Sequence, residues 1–156
     1  MNISPLAAGV PVQAVERFLM ESLPVAAVAH SYHVDALRNP AIQADPVFQR
    51  FSLIELNELH HQIAAVGSLL RLQAGDPRAA ESLAHNLAGF VQNRQAALRL
   101  VPQFSPLVRQ NRALRNMMAL TQRSNQQVAQ NWPVISRTLA AAAAPAPGPL
   151  LVGRPL

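Results

Sequence analysis

The chain has no cysteine, which removes disulfides, thiolate metal ligands and cysteine nucleophiles together. It has no lysine either: all 13 basic residues are arginine. Codon bias in a GC-rich genome accounts for that and for the abundant Ala and Pro. A functional account is a surface with no ε-amine to acetylate or ubiquitinate, suited to delivery into a foreign cytosol. Aromatic residues make up only 4% and charged residues 13%, against roughly 25% charged in an average domain. A disordered chain combines low hydrophobicity with high charge, and here half the residues are hydrophobic. With six glycines, the chain has no Gly-rich phosphate loop and no Gly-x-Ser-x-Gly nucleophile turn. No apolar run approaches the ~20 residues needed to span a bilayer. The start, Met1-Asn2-Ile3-Ser4-Pro5, has no basic segment, and Glu16, Arg17 and Glu21 interrupt the first apolar stretch. A cytoplasmic protein with no membrane span is expected.

Acidic residues are missing from the whole second half. Residues 1–81 hold all eight acids and five arginines, a balance of −3; residues 82–156 hold eight arginines and no acid, +8, and the two sum to the net +5. Such segregation suits an anionic partner for the basic half, or pairing of the halves within or between subunits.

What is present reads as helix. Pro11 can open one, and Pro24 is expected to kink or restart it before an end near Arg38. Residues 39–46, with two prolines, read as a connection. From Pro46 or Ser52 to Gln73, Leu56, Leu59, Ile63, Val66 and Leu70 recur at steps of 3 and 4, the spacing of a helix seam. A second row, Ile54, Glu58, His61, Ala65 and Leu72, lies on another side. A helix apolar on two sides belongs in the centre of a bundle or inside an oligomer. Gly75 closes it. Asp76-Pro77 and Ser105-Pro106 are cap-and-proline openings for two further helices. The first carries Leu83, Leu87, Phe90, Ala97 and Val101 on a stripe broken by Arg94. The second runs from Pro106 to about Trp132 and continues past a kink at Pro133 to Leu139. No run alternates with period 2, so no strand is expected. The expected fold is an all-α bundle of four to five helices over residues 1–139, with short connections. Residues 140–156 form an Ala/Pro-rich tail expected to be extended or disordered.

Two features carry chemistry. On the last helix Arg109, Arg112, Arg115, Arg123 and Arg137 fall within an arc of about 120° at ~100° per residue. Leu114, Met117, Thr121, Val128, Trp132, Ile135 and Leu139 lie opposite. This basic amphipathic pattern suits phosphate, anionic lipid or an acidic protein, because the guanidinium fork binds carboxylate and phosphate bidentately. A solvated outer face gives the same pattern. No aromatic residues interleave with the arginines for base stacking. Met117, Met118 and Trp132 either fill the core or anchor a partner helix.

The second feature is histidine placement. Glu58-x-x-His61 matches the inward pair that di-iron bundles use twice, and His30 and His33 stand one turn apart. His30, His33, Glu58 and His61 are therefore the metal candidates, of a type suited to Zn or Fe. Only one such pair occurs, so no metal and no cofactor are expected, and Glu58 and His61 are expected as a hydrogen-bonded structural pair. The resulting expectation is a non-catalytic module that binds another protein, acidic or helical, or its own copy. An adaptor, an export chaperone or a secretion-apparatus subunit fits that description. The partner-binding residues are Arg109, Arg112, Arg115, Arg123, Met117, Met118 and Trp132. The alternatives are a nucleic-acid-binding protein using the arginine face and a metal-dependent helical enzyme.

Overall fold

The computed structural model describes residues 11–143. The fold is all-α: α1 (Val12–Ala36), α2 (Pro40–Gln43), α3 (Pro46–Gln73), α4 (Ala79–Leu100), α5 (Pro106–Gln110) and α6 (Arg112–Ala143), with a 3₁₀ turn at Val101–Gln103. The four long helices form two close pairs, α3 with α4 and α1 with α6, and the pairs stack more loosely on one another.

Local signals set most of these bounds. Asn39 accepts from the Ala41 N–H at 3.0 Å, Asp45 from Phe48 at 2.9 Å and Ser105 from Val108 at 3.4 Å, each satisfying an otherwise orphaned first-turn donor beside a proline. Asn39–Pro46, expected as a plain connection, thus contains a single helical turn. Gly75, at φ +97°, ends α3 in the left-handed region that only glycine enters freely.

Four boundaries differ from expectation. Pro24 does not divide α1, which runs through it; the proline sits on an exposed face. Asp76 shapes a turn by accepting from the Arg78 N–H at 3.0 Å, and the helix begins only at Ala79. The helix expected to run unbroken from Pro106 is split at Asn111, whose backbone is extended (ψ 125°) and whose Oδ1 accepts from the Leu114 N–H at 3.0 Å. An asparagine that caps so well starts a new helix where the old one would have continued. Finally, α6 passes through Pro133 and extends to Ala143, beyond the expected end at Leu139. The remainder of the expected tail, residues 144–156, lies outside the described residues.

The core has two apolar regions. One joins Phe18 and Leu19 of α1 to Leu69 and Leu72 of α3, Leu83 and Phe90 of α4, and Ile135 of α6. The other gathers Phe48, Phe51, Leu100, Phe104, Leu114 and Met117. Between them Glu58, Gln62, Arg94 and Ser124 are buried together with the half-buried Asn125, forming a polar layer across the bundle.

The α3–α4 pair is registered by side-chain bonds: Asn57 to Asn93 at 3.0 Å, His61 Nδ1 to Asn86 Oδ1 at 3.1 Å, and Ser68 to Ser82 at 2.8 Å. His61 lies over Gly89, where an added Cβ would stand 2.7 Å from the imidazole. Gly89→Ala is therefore expected to destabilise by about 1–3 kcal/mol, the cost of overpacking. Gly67 has nothing within 4 Å of its Cβ position, so Gly67→Ala is expected to gain about 0.5–1 kcal/mol from helix propensity. Paired chemical denaturation measures both, and equal signs for the two would contradict this close approach.

Candidate functional site

Three features were candidates: the polar layer with its cavity, the outer face of α3, and the arginines of α6. In the polar layer, Arg94 Nε donates to Glu58 Oε1 at 2.7 Å, and Nη2 donates to the same oxygen. Nη1 donates to Ser124 Oγ at 3.1 Å and Asn125 Oδ1 at 2.9 Å, and the guanidinium carbon lies 5.3 Å from the Phe90 ring centroid. This ion pair joins the acidic and basic halves of the chain. It also explains two apolar-row intruders at once, Glu58 on α3 and Arg94 on α4. Burial raises the Glu58 carboxyl pKa and the Arg94 guanidinium opposes that rise.

The layer borders a cavity of about 120 Å³ reached by all four long helices. Glu58 and Gln62 line it, but Glu58 Oε2 and both polar atoms of the Gln62 amide are closed off from solvent and have no hydrogen-bond partner in the protein. Glu55, half-buried one turn from Glu58, lines the same space; burial, then the Glu58 charge, pushes its pKa up to about 7 against the pull of Arg94. A carboxyl titrating higher in the folded chain than in the unfolded one stabilises below the unfolded value. That contribution is lost as pH rises through about 7. Glu55→Gln is thus expected to be more stable than wild type at pH 8, by on the order of 1–2 kcal/mol after discounting for solvent at the rim. The gap should close by about pH 4.5, and denaturation at both pH values measures it.

The metal candidates do not converge. His33 Nε2 is 2.8 Å from Ser52 Oγ, and its ring stacks on Phe48 with centroids 5.1 Å apart. The Ser52 hydroxyl is 2.9 Å from the Phe48 carbonyl and gives it its proton, so His33 donates. Burial, then the charge of His30, lowers the His33 pKa to about 4. Glu58 is held by Arg94, His61 is turned to Asn86, and His30 is exposed at the cavity rim. Among the described residues no group of three or more His, Asp or Glu side chains is placed to hold a metal.

On α3 the structure separates the two apolar rows. The second row faces inward with Glu58, Ala65 and Leu72 buried, whereas the regularly spaced first row faces out. Leu56 is 54% exposed, Ile63 59% and Leu70 60%, while Leu59 and Val66 between them are half-buried. From Leu56 to Leu70 no exposed position of this helix carries Asp, Glu or Arg, so about 21 Å of surface is uncharged by those groups. The chain's own helices cover only the second row; Leu56, Ile63 and Leu70 of the seam stay on the surface of the single chain, so the expected alternative of packing inside an oligomer is the one that would cover them.

The arginine face is shorter than expected. Arg112, Arg115, Arg123 and Arg137 are exposed on α6, but Arg109 belongs to α5. Arg109 donates to the carbonyls of Phe104 at 2.7 Å and Pro102 at 3.2 Å, tying down the preceding turn. Of the three apolar residues expected at a partner surface, Met117 is buried in the core, which corrects that expectation. Met118 is half-buried and lines the cavity, and Trp132 is half-buried against the first apolar region. Among the described residues no helix is long and apolar enough to cross a membrane. Comparisons with protein-family models, curated proteins and solved structures found no match.

Proposed function

We propose that the protein is a non-catalytic helical interaction module whose outer α3 face takes an apolar helix from another polypeptide chain. The observation that carries this reading is the exposed row Leu56, Ile63 and Leu70 on a helix already buried along its other side. The row lies at seven-residue spacing with Leu59 and Val66 at the intervening steps, the pattern of a two-helix seam. Contiguous exposed apolar surface of this kind marks interaction sites in folded proteins. The bound helix would lie along α3 and cover these side chains. Such a module fits an adaptor, an export chaperone or an accessory subunit of a secretion apparatus. The test is light scattering on wild type and Ile63→Asp: a mass of about twice 16.9 kDa that falls to one chain in the variant identifies a second copy as the occupant. A monomer in both directs the search to a different protein.

A second reading has its own observation. Arg112, Arg115, Arg123 and Arg137 have no acidic partner among the described residues, where the only ion pairs are Arg38–Asp35 and Arg94–Glu58. Nucleic-acid binding through this face would weaken by roughly 0.9 log units per log unit of salt for each DNA phosphate neutralised. Retention on DNA at low salt with that slope would favour it; no retention would reject it.

A further inference from the structure

Three histidines stand side by side where α3 meets α4 on the outside of the bundle. The ring centroids of His60 and His61 are 5.8 Å apart, and so are those of His61 on α3 and His85 on α4. His61 is held in a defined orientation. Its ring lies against α4 at Gly89, where a Cβ would stand 2.7 Å from it. Asn86 Nδ2 donates to the Ser82 carbonyl at 2.8 Å, which turns Asn86 Oδ1 toward the imidazole. His61 Nδ1, 3.1 Å from that oxygen, therefore carries the proton of the neutral ring, and Nε2 keeps its lone pair. Among the described residues, the unpartnered side-chain atoms sealed from solvent belong to Glu58 and Gln62 alone, so His61 Nε2, unpaired in the protein, is open to solvent. His85 is exposed.

We infer that His61 and His85 together bind one divalent late transition-metal ion, Ni²⁺, Cu²⁺ or Zn²⁺, across the α3–α4 groove. Imidazole suits these ions, whereas Mg²⁺ and Ca²⁺ take oxygen ligands. A ring nitrogen about 2.1 Å from a metal puts the ring centroid about 3.2 Å from it. Two imidazoles sharing one ion then have centroids about 5.2 Å apart at the tetrahedral angle, and about 6.4 Å apart at most. The 5.8 Å between His61 and His85 lies inside that span. His60 shows the same spacing to His61, but it is the preceding residue of the same helix, and successive side chains there diverge by about 100°. His61 and His85 come instead from facing helices. Asn86 is a positioning residue: its bond to Nδ1 fixes the tautomer and ring orientation, as the outer hydrogen bond of a metal-ligating histidine does. Two protein ligands leave the other coordination positions to water or to a group brought by another molecule, so the site is open and exchangeable. It shares only His61 with the four residues that the Glu58-x-x-His61 spacing singled out.

The test is calorimetric titration of the full chain, carrying no added histidine tag, with Ni²⁺, Zn²⁺ and Mg²⁺. Electron paramagnetic resonance of the Cu²⁺ form counts the coordinated nitrogens. The expected result is one saturable Ni²⁺ or Zn²⁺ ion per chain, micromolar in affinity, no response to Mg²⁺, and two imidazole nitrogens on Cu²⁺. His85→Gln should weaken binding at least tenfold, and because the side chain is exposed the metal-free melting curve should match that of the wild type. Asn86→Leu should weaken binding about tenfold, whereas Asn86→Asp, which restores an acceptor for Nδ1, should bind at least as tightly as the wild type. His60→Gln and His30→Gln should leave the affinity unchanged. Saturating Zn²⁺ should raise the Tm of the wild type and not that of His85→Gln, since an ion that binds only the folded chain stabilises it. The absence of a saturable site, undiminished binding by His85→Gln, a loss confined to His60→Gln, or a single nitrogen on Cu²⁺ would each overturn the inference. The interaction reading of α3 rests on Leu56, Ile63 and Leu70 and survives any of these failures.

Discussion

Arg94→Leu is expected to destabilise the protein by about 3–5 kcal/mol, the largest single loss among its polar positions. Arg94 makes every hydrogen bond that Glu58 receives from a side chain, and it also ties α4 to Ser124 and Asn125 of α6. Its removal leaves a carboxyl with no partner between two apolar regions. The paired variant Glu58→Leu/Arg94→Leu should recover most of the loss, because a buried ion pair balances its attraction against the desolvation of both groups. Urea denaturation of the wild type, both single variants and the double variant gives the coupling directly. A double variant as unstable as the sum of the singles would mean that Glu58 and Arg94 do not couple, and would contradict this account.

Ile63→Asp and Leu56→Asp are expected to lower affinity for the docked helix at least a hundredfold, about 3 kcal/mol, as for residues central to an interface. Their effect on folding should be within about 0.5 kcal/mol, because both side chains are already more than half exposed. The same substitution at Leu69, buried on the opposite face, should unfold the protein. This contrast separates a docking role from a packing role. If Ile63→Asp cost as much stability as Leu69→Asp, the outward face would be part of the core.

The helical content and the positions of Gly75, Ser105 and Pro106 were legible in the sequence because caps and proline act within one turn, whereas the start of α3 was left between Pro46 and Ser52 because the Asp45 cap went unread. The two-sided character of α3 was legible too, since it needs only the 3.6-residue period. Which side faces the core was not. The row with the better apolar spacing is the exposed one, while the buried row contains Glu58. Periodicity measures how apolar residues line up on a helix; what covers them depends on where the other helices lie. Glu58 and Arg94 each stood out as an intruder in an apolar row, and opposite charges in two helices joined by a short turn were the available signal for their pairing. Gln62 gave no signal, because a glutamine on a helix is ordinarily a surface residue. The Asn111 break was missed because the arginine spacing on either side continues the helical period across it, although Asn is a strong cap. That break places Arg109 on α5, apart from the helix that carries Arg112, Arg115, Arg123 and Arg137. The cavity arises from the loose stacking of the two helix pairs, which no local pattern encodes.

The most direct test of the interaction reading is site-specific photocrosslinking in cells that make the protein, with benzoylphenylalanine at Ile63 or, as a control, at the exposed polar Gln92 of α4. The expected result is a discrete adduct from position 63 and none from position 92, its mass showing whether the covering chain is a second copy or a different protein. Equal labelling from the two positions, or none from Ile63, would show that the outer face of α3 meets only solvent.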